Sequence, residues 1–323
     1  MDTTCLTAII PVFNEEEVFG DLVARLRDVL PTLGFERVEV LFVDDGSRDR
    51  TRELVSEVAN QPQENGLFFR GVFLTRNFGH QAAVSVGLAH AQGSVVCVMD
   101  ADLQDPPEVL ADLVAALADG ADVAFAVRRQ RKESWVKRLA YDSFYRLLFV
   151  ISSIEIPRDS GDFCCMRRNV VDAMLQLPER NRFIRGLRAW VGFRQVGVPY
   201  ERQARAAGET KYSWRKLFQL AYDGLFSFSN LPVKLMQFLG FVVSIGSMAV
   251  ALFYLGWFLI RPEQFPAGTG WTTSIISLWF LSGVQMLFLG LLGEYVFRTF
   301  DESRRRPTAL VARIVEQSVE SET

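Results

Sequence analysis

Two carboxylates one residue apart, Asp100 and Asp102, follow directly on the apolar run Val95-Val96-Cys97-Val98-Met99, and the carboxamide of Gln104 comes just after. A short apolar run of this kind reads as a strand buried on both faces. Oxygen ligands gathered at its end suit a hard divalent cation holding a diphosphate. The C-terminal edge of an open α/β sheet is also where ligands bind. Asp and Pro make ordinary turns after strands too. On these residues alone a metal site and a plain turn are both open.

The elements that must position this turn come next. Residues 6–12 read as a strand, after which Asn14-Glu15-Glu16-Glu17 opens a helix with Val18, Leu22, Leu26 and Val29-Leu30 on one face. A second strand, 38–43, ends in Asp44-Asp45-Gly46-Ser47 and leads into a helix over 49–59. Strand 68–74 ends in Thr75-Arg76-Asn77-Phe78-Gly79-His80, before a helix over 81–91. Pro106-Pro107-Glu108 starts another helix, and strand 121–127 runs into Arg128-Arg129. The alternation predicts an α/β fold: a mostly parallel sheet with helices on both faces. Its strand ends share one edge, which collects Asn14, Glu15, Asp44, Asp45, Arg76, Asn77, Asp100, Asp102 and Arg128 on a common rim.

The chain has 323 residues, 49% of them hydrophobic, with a net charge of -3. Residues 235–260 and 264–293 contain no charged side chain and no His. Each exceeds the roughly 20 residues that cross a bilayer core, which predicts two C-terminal transmembrane helices. Lys211, Arg215 and Lys216 precede the first, and Arg298, Arg304, Arg305 and Arg306 follow the second. Their connection carries only Arg261 and Glu263, so both termini are expected on the cytoplasmic side. Residues 134–154 and 213–229 show aromatic, Lys and Arg residues at helical spacing. For 213–229 a helix in the membrane interface is favoured; for 134–154 an interface helix and an ordinary packed helix are both open. The N-terminus shows no signal peptide. No long basic stripe points to nucleic acid. Cys5, Cys97, Cys164 and Cys165 form no Cys-x-x-Cys pair and are expected to be reduced.

Three motifs in order carry a resemblance: Pro11-Val12-Phe13-Asn14-Glu15-Glu16, Val43-Asp44-Asp45-Gly46-Ser47 and Asp100-Ala101-Asp102-Leu103-Gln104. With them the chain resembles family 2 glycosyltransferases of the GT-A (Rossmann-like) fold. Arg76-Asn77-Phe78-Gly79, Gly208-Glu209-Thr210-Lys211-Tyr212 and the two apolar spans narrow the likeness to polyisoprenyl-phosphate glycosyltransferases, which include bactoprenol glucosyltransferases and dolichyl-phosphate mannosyltransferases. His80 stands where many members carry Lys or Gln. Asp159-Ser160-Gly161-Asp162-Phe163-Cys164 matches the bacterial Gly-Asp-aromatic form. The Gln-x-x-Arg-Trp motif of processive polysaccharide synthases is not matched by Arg188-Ala189-Trp190.

The resemblance implies an inverting transfer of a sugar from a nucleoside-diphosphate sugar to a polyisoprenyl phosphate at the membrane. UDP-glucose and undecaprenyl phosphate are expected first, with a GDP-mannose enzyme or a non-catalytic nucleotide-sugar-binding scaffold as alternatives. Pro11, Phe13, Asn14, Glu15, Asp44 and Asp45 would hold base and ribose; for the two aspartates a helix cap and turn is the competing role. Asp100, Asp102 and Gln104 would hold Mg²⁺ or Mn²⁺ and the diphosphate, beside Ala101. Arg76, Arg128, Arg202, Arg205 and Lys211 would add positive charge at the donor. Asp162 would lie near the acceptor nucleophile. A phosphate monoester is largely dianionic near pH 7, so Asp162 is expected to orient groups more than to take a proton. Arg180, Arg182, Arg185 and Arg188 read as an acceptor-phosphate surface or as a solvated helix face. The expected organisation is a catalytic domain over 1–212, interface helices over 213–232, a membrane region over 233–300 with spans at 235–260 and 271–296, and a cytoplasmic tail over 301–323. The expected location is the bacterial inner (plasma) membrane. Glycines in the spans permit close helix contact and a homo-oligomer.

Overall fold

The computed structural model describes residues 2–128, 160–179, 182–201, 231–261 and 270–316. The chain divides into two compact units, one of which is built from 1–146, 154–211 and 306–323.

The first unit is an eight-stranded sheet. Its strands are β1 (Cys5–Val12), β2 (Arg37–Asp44), β3 (Leu67–Leu74), β4 (Val95–Val98), β5 (Val123–Arg128), β6 (Ser160–Arg167), β7 (Gln195–Tyr200) and β8 (Val311–Glu316). They lie in the order β7-β5-β6-β4-β1-β2-β3-β8. The centre is parallel, as the alternating pattern predicts: β1 pairs with β2 and β4, and β2 with β3. Strands β1, β2 and β4 are buried almost throughout, which is why they read as unbroken apolar runs rather than alternating ones. Helices α1 (Glu16–Val29), α2 (Thr51–Ala59) and α4 (Val109–Ala118) cover one face with Phe19, Leu22, Leu26, Val55, Leu110, Leu113 and Leu117. The other face is covered by α3 (His80–His90), α5 (Arg168–Leu175) and α6 (Ile184–Trp190), through Ala83, Leu88, Val170, Met174, Ile184 and Leu187.

Two strands run against the parallel frame. β6 is antiparallel to both β4 and β5 and separates them. β8 is antiparallel to β3 and closes that edge. Within the stretch expected as a tail, 301–323, residues 311–316 thus form a strand of the sheet. Arg70 on β3 explains part of the docking: it pairs with buried Glu39 and, through Nε, with Glu316 at 2.8 Å. Arg313 adds a hydrogen bond to Ser56 Oγ at 2.9 Å and lies over the Phe73 ring. Cys97 and Cys165 stand directly opposite each other on β4 and β6 and are joined as a disulfide, where reduced thiols were expected. Cys5 and Cys164 are free.

The second unit contains two long helices, α7 (Leu231–Ile260) and α8 (Trp271–Ser303). Among the described residues one segment, Ser277–Ser303, is long and apolar enough to cross a membrane, with mean hydropathy 1.5 and none of it buried. Helix α7 is 30 residues long and also carries an apolar stretch, Met236–Val250. The helices expected over 134–154 and 213–229, the second of them favoured as an interface helix, fall outside the described residues.

Candidate active site

The loops after β1, β2 and β3 are tied together by the very residues that looked like ligand contacts. Asn14 adopts a left-handed backbone (φ 55). Its N–H donates to Ser47 Oγ at 3.0 Å, and its Oδ1 accepts from the Arg48 N–H at 2.9 Å. The Glu15 N–H donates to Thr51 Oγ1 at 2.9 Å. Strand alternation sends Asp44 and Asp45 to opposite faces. Asp44 is buried against α2, where it pairs with Arg52 Nε at 3.1 Å and accepts from the Ser47 N–H. Asp45 turns toward α3, and its two oxygens accept the N–H groups of Phe78 (2.7 Å) and Gly79 (2.9 Å). Burial raises the Asp45 carboxyl above its ordinary value despite these bonds. Gly46 lies at φ 73, and a Cβ there would stand 2.5 Å from the backbone carbon of Arg76. The Asp-Asp-Gly-Ser motif thus locks three loops to one another. Arg76 is exposed on that rim, with its guanidinium 4.0 Å from the Phe78 ring centroid.

The turn after β4 is narrow and strained. Asp102 Oδ1 accepts from the Gln104 N–H at 3.1 Å, Leu103 is left-handed at φ 56, and Ala101 and Gln104 are buried. A bulky residue in that conformation is uncommon and clusters at sites where ligands are gripped. Beside it the buried Asp105 accepts a hydrogen bond from the Tyr200 hydroxyl, which in turn accepts from Arg128 Nε at 3.4 Å. Burial and Asp105 push the Tyr200 phenol up to about 12, so it remains a donor. This chain holds Arg128 at the rim.

The register of β4 with β6 makes the central feature. Val98 opposes Cys164, so two residues further on Asp100 comes opposite Asp162. Like charges across a strand pair repel, and three side chains answer this. Arg185 binds Asp162 in a fork, Nε to Oδ1 at 2.7 Å and Nη2 to Oδ2 at 3.2 Å. Gln81 donates to Asp162 Oδ2 at 3.1 Å while its Oε1 accepts the Ile184 N–H at the start of α6. His80 Nε2 lies 3.4 Å from Asp162 Oδ2 and 3.6 Å from Asp100 Oδ1. Burial works against the Asp162 charge, but Arg185 and His80 hold its carboxyl well below the usual carboxylate range. Asp100 goes the other way. Burial, and the charges of Asp162, Asp105 and Asp102 against that of His80, push it up to about 6. His80 is disfavoured as a cation by burial, yet Asp162 and Asp100 raise it above its ordinary value.

The structure therefore gathers Asp100, Asp102, Gln104, Asp162 and Arg128 about one turn, and knits Asn14, Glu15, Asp44 and Asp45 into the neighbouring rim, with Pro11 in β1 opposite Val43 and Phe13 directly after that strand. Arg202, Arg205, Lys211 and Arg180 lie outside the described residues. His80, Gln81, Asp105 and Tyr200 were not assigned from the sequence. Only His80 left a signal there, as one of two histidines, placed at a strand end.

The donor set fits a divalent cation in part. Among the described residues no three His, Cys, Asp or Glu side chains converge as a complete cage. Mg²⁺-like ions are commonly held by one or two carboxylates with substrate phosphates completing the shell. Asp100 and Asp102, on a turn crowded with negative charge, meet that description.

A sequence model for glycosyl transferase family 2 matches residues 7–175. The chain belongs to that family. Its relatives share nearly the whole length. An uncharacterized glycosyltransferase of Synechocystis sp. is 41% identical over 308 residues, 95% of this chain and 94% of its own. A prophage bactoprenol glucosyl transferase homolog of Escherichia coli is 37% identical over 96% of this chain and 99% of its own. The bactoprenol glucosyl transferase of Shigella phage SfV is 36% identical over 95% and 97%. Among solved structures, a mannosyltransferase from Pyrobaculum calidifontis, in complex with GDP-Man and Mn²⁺, aligns with a TM-score of 0.47 at 21% identity, covering 67% of this chain and 60% of its own. The family 2 chain is thus a glycosyltransferase, and the acidic turn and its partners form its candidate active site.

Proposed function

We propose that this glycosyltransferase moves glucose from UDP-glucose to a polyisoprenyl phosphate, undecaprenyl phosphate in a bacterial plasma membrane, with inversion at the sugar. The observation that carries the reading is the facing pair Asp100 and Asp162, one on the strained turn and the other clamped by Arg185. It gives a donor side and an acceptor side within one strand spacing. The full-length likeness to bactoprenol glucosyl transferases supports the acceptor and the sugar.

In the reaction a phosphate oxygen of the lipid attacks the anomeric carbon. The bond from that carbon to the diphosphate oxygen breaks, and its electron pair leaves with the nucleoside diphosphate. Asp100, Asp102 and Gln104 would hold Mg²⁺ or Mn²⁺, which supplies charge neutralisation to the leaving diphosphate. Asp162 accepts no proton in this scheme. A carboxylate held this far below the ordinary range is a poor base, and a dianionic phosphate needs none. Asp162 instead fixes Arg185, His80 and Gln81 against the acceptor side. Asn14, Glu15 and the loop after β2 shape the base and ribose end. Residues 1–212 act as the cytoplasmic catalytic domain, and 235–260 and 271–296 as spans that keep it beside a lipid that never leaves the bilayer. The glycines of the spans offer a surface for a homo-oligomer.

The test is organic-phase transfer of label from UDP-[¹⁴C]glucose to undecaprenyl phosphate by purified protein with Mg²⁺ or Mn²⁺. Transfer that chelator abolishes and Asp102→Ala removes is the expected result. Binding of UDP-glucose without transfer to any lipid phosphate overturns the enzyme reading. A preference for GDP-mannose overturns the choice of sugar.

A further inference from the structure

Helix α6 carries two arginines three residues apart, on one face, with opposite fates. Arg185 is paired with Asp162. Arg188 is 1% exposed and is the bulkiest of the fully buried side chains. Among the described residues none of its Nε, Nη1 and Nη2 atoms has a nitrogen or oxygen hydrogen-bond partner, and the Cys164 thiol is set against it as a weak acceptor. Its guanidinium lies 5.0 Å from the Phe125 ring centroid. It is neither the solvated helix face nor the phosphate-contacting surface that its spacing with Arg182 and Arg185 suggested.

A buried charge without a partner is costly, and well-packed apolar residues of similar volume often stabilise such positions. Its presence there requires an explanation. Position supplies one. Cys164 lies two residues from Asp162 on the same face of β6; its thiol, an uncharged and weak partner, bonds to Arg188 and feels the charges of Asp162 and Arg185. Arg188 thus lies on the face of the sheet that carries the Asp162–Arg185 clamp, buried over the Phe125 ring. Arg185 is neutralised by Asp162, whereas no carboxylate among the described residues lies within ion-pair distance of Arg188. Its field is not cancelled locally. The turn above brings together Asp100, Asp102, Asp105 and Asp162, a poor place for a phosphate dianion to enter.

We propose that Arg188 is a positioning residue for the acceptor: a buried, unneutralised positive charge that offsets the acidic rim so that a phosphate monoester can bind beside Asp162 and Arg185. The inference rests on the phosphate-acceptor reading above. It differs from that reading in assigning acceptor affinity to a group that touches no substrate.

The test compares Arg188→Met and Arg188→Lys with wild type in detergent, by melting temperature, by donor and acceptor KM, and by binding of farnesyl phosphate. Arg188→Met is expected to melt at the wild-type temperature or above it. It should raise the KM for lipid phosphate and weaken farnesyl phosphate binding about ten-fold, the effect of one charge acting across a partly screened interior. The KM for the nucleotide sugar should stay within about two-fold of wild type, and Arg188→Lys should recover most of the acceptor affinity. An Arg188→Met enzyme with wild-type acceptor KM overturns the inference and leaves the acceptor reading standing. So does loss of acceptor affinity accompanied by a fall in melting temperature and not recovered by Lys, which makes Arg188 a packing residue. A wild-type protein that neither binds nor uses an isoprenyl phosphate overturns both.

Discussion

Replacing Asp100 by Asn should make the metal-free protein more stable while abolishing transfer. The carboxyl has a folded pKa of about 6 against an ordinary value of 3.8. The folded state therefore binds this proton more tightly than the unfolded chain does. The resulting penalty on the ionised group is absent below about pH 4, grows between about 4 and 6, and is full above 6. At 1.36 kcal/mol per unit the shift corresponds to about 3 kcal/mol. The side chain is 35% exposed, and solvent screening reduces this to about 1–2 kcal/mol. Asp100→Asn should thus raise the melting temperature in EDTA at pH 7.5 by roughly 3–6 °C. The gain should vanish near pH 4, where wild-type Asp100 is itself protonated. Mn²⁺ should stabilise the wild type, because it replaces the missing proton, and should do little for the variant. A variant less stable than wild type at pH 7.5, or equally stabilised at pH 4 and pH 7.5, refutes the reasoning from burial and like-charge crowding.

Gly46→Ala forces a Cβ to within 2.5 Å of the Arg76 backbone at φ 73. It should cost at least about 2 kcal/mol in denaturant unfolding and weaken nucleotide binding in a thermal-shift titration. Gln81→Ala removes the link between Asp162 and the start of α6. A loss of about 1–2 kcal/mol is expected, with a higher acceptor KM and an unchanged donor KM. Tyr200→Phe takes one hydrogen bond from buried Asp105 and loosens Arg128. About 1–3 kcal/mol should be lost, with a lower kcat in steady-state assays.

How far the site was legible depended on sequence distance. The Asp100 turn could be read because an apolar strand and its acidic end are contiguous. The rim could be read because five strand ends each carried polar residues, and the centre of the sheet is parallel as expected. Asp162 entered through family likeness, but its position opposite Asp100 could not be foreseen. That depends on β6 entering antiparallel between β4 and β5, with no local pattern to announce it. The same register brings Cys97 to Cys165. Asp44 and Asp45 look alike in sequence; only the pleat shows that one serves α2 and the other α3. Arg188 shares its helix face with Arg185, and charge patterning alone predicts exposure for both. β8 is short and partly charged, and its signal lies in Arg70, a charge in the middle of an otherwise apolar strand some 240 residues earlier.

β8 also sets an order on biogenesis. The strand that closes the β3 edge is translated after α7 and α8. While the ribosome is still making those helices, β3 presents open N–H and C=O groups, and Arg70 lacks Glu316. Open edges invite pairing with other chains. The catalytic sheet can therefore be finished only once the apolar helices have been synthesised. A version cut before Leu231 to improve solubility would carry an unclosed sheet. Joining residues 306–316 to the catalytic unit through a flexible linker would restore the missing strand without the helices.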